Sequence, residues 1–169
     1  MPAWSTLIAE EFVRLAKASG SVLDQIELQK LTYIAHGWNL AMSGTPLTGD
    51  RPEAWEFGPV YRRLADALSP FGLEPINLPV AEGLETADLE DYQTDLDHSE
   101  LDVISRIYHE YGGFSRSQLS NLTRRGDTPW KQVYDGGAGK FREIPHRLIR
   151  AQFVQIATEQ SRTRPLAGG

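Results

Sequence analysis

A mainly α fold, one compact bundle of six or seven helices around a long central helix at 24–43, is what this sequence predicts. Three observations carry that expectation. Apolar residues recur at steps of three and four along most of the chain, and strand-like alternation surfaces only near 54–57 and 75–80. Two segments open with the residues of a capping box. The chain has 169 residues, 40% of them apolar, and suits one domain with its own core.

The elements follow in order. In residues 6–19, Ile8, Phe12 and Leu15 fall on one helical face and Gly20 can end the helix. Asp24 and Glu27 form a capping box for the central helix, which closes at Gly44 and carries the stripe Leu28, Leu31, Ala35, Trp38 and Met42. A helix of that length reaches about 30 Å. Gly37 sits in its middle, where glycine costs about 1 kcal/mol against alanine, so another element is expected to press closely there. Ala54 to Phe57 alternates as a brief strand, and "FGP" then reads as a strand-to-helix corner, with Gly58 as cap and Pro59 as first helical residue. Val60, Leu64 and Leu68 continue that helix until Pro70 and Gly72. Residues 73–97 read as an acidic surface loop, with an edge strand at 75–80. A helix resumes near Ser99 with the stripe Leu101, Ile104, Tyr108 and Tyr111. Ser115 with Gln118 makes the second capping box, flanked by a staple of Phe114 and Leu119. Thr128 caps a short helix begun by Pro129, and Pro145 opens the last one, with Ile149, Phe153 and Ile156 inward. The domain is expected to span 1–160, with 161–169 a frayed tail.

Charge is unevenly placed. Residues 64–105 hold 11 acids and no Lys or Arg, whereas residues 106–169 hold 11 Lys or Arg against 5 acids. Such a dipolar surface bears on partner choice rather than on fold. Cysteine is absent, which removes disulfides and thiolate chemistry. No apolar run reaches membrane-spanning length, and the acidic N-terminal stretch is unlike a signal peptide, so a cytoplasmic protein without membrane contact is expected.

Catalytic signatures fail one by one. "GGAGKF" at 136–141 lacks the Ser or Thr of a phosphate loop and reads as a flexible loop. His36, His98, His109 and His146 are too scattered to hold a metal; His36 reads as a hydrogen-bonded core residue and His146 as solvent-facing. No metal, cofactor or catalytic residue is assigned. Arg116, Arg124, Arg125 and Lys131 raise the question of nucleic acid, but the overall charge of −6 argues against a dedicated DNA-binding domain. Arg124 and Arg125 serve equally well as complements to a helix C-terminus. Trp55 and Trp130 each stand beside a proline-containing corner, where core packing leads and a binding groove stays open.

Three blocks, "LQKLTYIAHGWNLAMSGTPL", "EAWEFGPVYRRL" and "LSNLTRRGDTPWKQV", together resemble the Panacea domain of SocA-like antitoxins, in that family's order. The motif residues carrying the resemblance are Gln29, Lys30, Tyr33, Gly37, Trp38, Glu53, Trp55, Gly58, Pro59, Leu122, Thr123, Pro129 and Trp130. Arg124 departs from it, since relatives commonly carry histidine after the Leu-Thr pair. The resemblance implies a helical, non-enzymatic antitoxin that neutralises a toxin protein by binding, with phage-associated relatives. Alternatives are a nucleic-acid-binding regulator or a phage-encoded anti-defence interaction protein. A second copy of the chain is a further candidate partner. Trp55, Phe57, Arg116, Arg124, Arg125, Trp130 and Lys131 are the expected partner contacts, and Lys30 with Glu53 is expected to form a buried ion pair that locks the corner to the central helix.

Overall fold

The computed structural model describes residues 2–76 and 96–163. Most of the acidic 73–97 segment, positions 77–80 of the expected edge strand and residues 164–169 of the expected tail lie outside the described residues. Among the described residues the chain forms seven α-helices and one two-stranded sheet: α1 Ser5–Ala18, α2 Gln25–Ser43, β1 Glu53–Trp55, β2 Gly58–Val60, α3 Arg62–Leu68, α4 His98–Tyr111, α5 Arg116–Arg124, α6 Pro129–Tyr134 and α7 His146–Thr163. The mainly α class is as expected. No helix among the described residues is long and apolar enough to cross a membrane.

Helix α2 is the axis of the fold. The capping box at its start is complete: the Asp24 carboxylate accepts from Glu27 N–H at 2.9 Å, and the Glu27 side chain accepts from Asp24 N–H at 3.2 Å. It ends at Gly44, whose φ of 75° lets its N–H reach the Leu40 carbonyl at 2.9 Å. Every residue from Leu28 to Leu40 is buried, so the helix is covered all round rather than along one stripe. Met42, the last position of the expected stripe, lies past that buried stretch and is 58% exposed.

The close approach expected at Gly37 is made by α7. A Cβ at Gly37 would fall 2.2 Å from the Phe153 ring, and Tyr33 and Trp38 meet the same ring edge-on. Trp38 also donates from Nε1 to the Tyr111 hydroxyl at 3.1 Å, which ties α2 to α4. α7 runs to Thr163, three residues past the expected end of regular structure.

A second polar knot fastens α2 to the 45–50 loop and α7. His36 is fully buried, and its Nδ1 accepts from Leu47 N–H at 3.2 Å. The proton therefore sits on Nε2, which donates to His146 Nδ1 at 3.0 Å. His146 is half-buried against His36 rather than solvent-facing, because the first turn of α7 seats it there. Burial, then the neighbouring His146, lowers the His36 pKa to about 3, so this ring stays neutral.

The Gly-Pro stretch forms no helix start. Glu53↔Val60, Ala54↔Pro59 and Trp55↔Gly58 pair as an antiparallel hairpin closed by Glu56 and Phe57, and α3 begins only at Arg62. The cause is tertiary. Gln29 on α2 holds both backbone groups of Tyr61, accepting from its N–H at 2.9 Å and donating to its carbonyl at 3.0 Å. The outer edge of β1 is covered by residues 141–144, with Ala54 N–H on the Arg142 carbonyl at 2.8 Å and Phe141 N–H on the Ala54 carbonyl at 2.7 Å. Extended pairing on both sides outweighs the helical preference of Pro59.

Candidate binding groove

Between the N-terminal half of α2, the hairpin, the start of α3 and helix α5 lies a groove of about 740 Å³. That volume is within the range of ligand-binding clefts. Ile26, Pro59, Val60 and Ala65 give it an apolar lining, and Trp55, Phe57 and Phe141 form an aromatic wall. Trp55 and Phe141 meet edge-to-face at 5.4 Å, with the Arg62 guanidinium 5.2 Å from the Trp55 ring centre. Phe57, at the tip of the hairpin, is 73% exposed. Phe141 is 49% exposed and adopts φ 69°, a backbone conformation that a bulky residue reaches only when its surroundings impose it. Its N–H bond to Ala54 and its ring contact with Trp55 are that imposition.

Two cations occupy the inner part of the groove. Lys30 is 7% exposed, and burial followed by the nearby Arg124 charge lowers its pKa to about 8. Arg124, in the last turn of α5, has a buried Nε without a partner and lies over Trp130, 5.1 Å from the ring centre. Both cations close on Gly58, where a Cβ would stand 3.3 Å from Lys30 Nζ and 3.3 Å from Arg124 Cγ and Cδ. Gly58 also has φ 131°, so this position needs glycine for conformation and space together.

The expected Lys30–Glu53 ion pair does not form. Glu53 instead takes the Arg62 fork in two bonds, Nε to Oε2 at 3.0 Å and Nη2 to Oε1 at 2.8 Å, and also accepts from Trp55 Nε1 at 3.2 Å. A planar guanidinium matches the two carboxylate oxygens in a way one ammonium cannot. Lys30 is left without an acid among the described residues.

Of the expected partner contacts, Trp55, Phe57, Arg116 and Arg124 line the groove. Arg116 is ion-paired with Asp24, so the α2 cap and the groove rim share one carboxylate. Trp130 lies beneath, 8% exposed, stacked on Tyr134 and donating from Nε1 to the Trp55 carbonyl at 2.7 Å. It supports the wall rather than forming it. Arg125 and Lys131 are exposed and do not line the groove. Among the motif residues, Pro129 and Thr123 are buried, and the Leu122 carbonyl accepts from Gln152 of α7 at 3.1 Å. Ile26, Val60, Lys140 and Phe141 also line the groove and are not among the expected partner contacts. The "GGAGKF" loop that carries Phe141 gave one usable signal, an aromatic residue after a run of glycines.

Among the described residues, a helical core carries a ready-made cleft on one side. The sequence profile of the family described as antitoxin SocA-like, Panacea domain, matches residues 28–131, and the chain belongs to that family. Antitoxin SocA of Caulobacter vibrioides (strain NA1000 / CB15N) is 28% identical over 134 residues, covering 76% of this chain and 69% of that protein. No solved structure matches the chain at a significant level. The matched region holds Lys30, the hairpin, α5 and Trp130, hence most of the groove.

Proposed function

We propose that this chain is the antitoxin of a toxin–antitoxin pair, neutralising a toxin protein by direct binding, with the groove as the contact surface. One observation carries the reading. In a member of an antitoxin family, exposed aromatic side chains stand beside a buried Lys30 and a half-buried Arg124 that no acid among the described residues balances. Aromatic and arginine anchors seated in pockets are where protein interfaces concentrate affinity. The groove's titratable side chains suit binding without catalysis: among the described residues Glu56 is the one carboxylate in its lining, and it stands 3.9 Å from Lys140. The similarity to a protein named Antitoxin SocA supports the same class.

The test is growth rescue on co-expression with the protein encoded beside this chain, once that protein is shown to be toxic. Ile26→Gln with Phe57→Gln removes apolar area from both walls and is expected to abolish rescue, while Met42→Gln at the far end of α2 keeps it. Full rescue by the groove variant would remove the groove from the mechanism.

A further inference from the structure

Lys30 is buried, and half-buried Arg124 beside it has its Nε closed off from solvent. A buried charge is retained at a large desolvation cost unless something compensates it. Neither residue has a carboxylate within ion-pair reach among the described residues, and Arg124 Nε has no acceptor. The other cations of the lining are engaged, Arg116 with Asp24 and Lys140 with Glu56. Among the described residues, the groove therefore presents one doubly cationic spot without an acid, at Gly58, beside the apolar side chains of Ile26, Pro59 and Val60.

That pattern specifies the partner's chemistry. A nucleic-acid backbone needs a row of exposed cations that neutralises successive phosphates, and in the groove only Lys30 and Arg124 stand without an acid among the described residues, Lys30 buried and Arg124 half-buried over Trp130. A single carboxylate with apolar neighbours fits: the acid meets an ammonium and a guanidinium, and its flanking side chains cover Ile26, Val60, Trp55 and Phe57. We propose that Lys30 and Arg124 form a carboxylate receptor, and that the groove takes a segment of the toxin in which an Asp or Glu side chain lies between aliphatic or aromatic residues. This rests on the groove being the toxin contact.

The experiment uses the full chain as bait for a displayed random-peptide library. Recovered peptides are expected to share an Asp or Glu flanked by apolar residues. Replacing that acid with Asn or Gln in a synthetic copy should weaken binding by about 10- to 100-fold, the range for a hydrogen bond to a charged group. Lys30→Met with Arg124→Gln should weaken the acidic peptide equally and leave the amide peptide unchanged. Recovery of no peptide, recovery of peptides without an acid, or equal binding of acid and amide forms would overturn the proposal. The peptide-side substitution stands whether or not the protein variants fold. In the rescue assay, loss with Ile26→Gln and Phe57→Gln but not with Lys30→Met and Arg124→Gln would leave the groove as contact and discard the receptor. Rescue by both would discard the groove itself.

Discussion

Replacing Lys30 with methionine should make the protein more stable at neutral pH. Methionine keeps the unbranched stem that packs against the hairpin and removes the ammonium. The folded-state pKa of Lys30 is lowered from 10.5 to about 8, by burial first and by Arg124 second. At 1.36 kcal/mol for each pH unit between those values, holding the charged form inside the fold costs about 3 kcal/mol. The sign follows from proton uptake. Below pH 8 both folded and unfolded chains carry the proton, and the whole penalty acts. Between pH 8 and 10.5 the folded chain releases its proton while the unfolded chain keeps it, so wild-type stability recovers with rising pH. Above pH 10.5 the penalty is gone. Denaturant unfolding followed by tryptophan fluorescence, on wild type and Lys30→Met at pH 7, 9 and 10.5, measures the difference directly; other titrating groups cancel in it. The expected advantage is about 3 kcal/mol at pH 7, or roughly 6–12 °C in Tm for a chain of this size, shrinking towards zero at pH 10.5. A variant no more stable than wild type at pH 7, or a difference independent of pH, would refute the picture of an uncompensated cation. A gain in stability accompanied by a loss of binding to the proposed toxin partner would mark Lys30 as a residue kept for function.

Three further outcomes are expected. Gly37→Ala should cost about 2–3 kcal/mol despite alanine's better helix propensity, because its Cβ would meet the Phe153 ring at 2.2 Å; adding Phe153→Leu should recover part of the loss in a double-mutant cycle, and additive effects would contradict the contact. Stability should fall as pH drops below 6.5, since the unfolded chain protonates His36 first while its folded pKa stays near 3; about 2–3 kcal/mol is lost by pH 4.5, and His36→Gln should flatten the curve by about one proton. Trp130→Phe should cost about 1–2 kcal/mol by removing the indole donor to the Trp55 carbonyl, and should speed amide exchange at Ala54 and Phe141; unchanged exchange would contradict its supporting role.

The helices were legible because their signals are local. Asp24 with Glu27 and Ser115 with Gln118 are complete capping boxes in the structure, and Ile8, Phe12, Ile104, Ile149 and Phe153 are buried as their spacing implies. Gly37 announced a close approach because glycine in a helix interior needs a reason. The hairpin was misread because Gly58 and Pro59 satisfy the local grammar of a helix start, while the forces that extend them come from Gln29 and from residues 141–144, far away in sequence. The groove was half legible for the same reason. Trp55, Phe57, Arg116 and Arg124 stand out beside corners and caps, but Phe141 enters through a strained backbone that spacing cannot reveal. Glu53 chose Arg62 over Lys30 on guanidinium geometry, and that choice left Lys30 unbalanced.

Amide hydrogen exchange on the chain alone and in complex with the toxin protein proposed as its partner tests the central idea most directly. Protection concentrated at residues 25–30, 55–60, 116–124 and 140–141 is the predicted result. Protection centred instead on the face that carries Met42 and Val154, with those four segments unchanged, would contradict it.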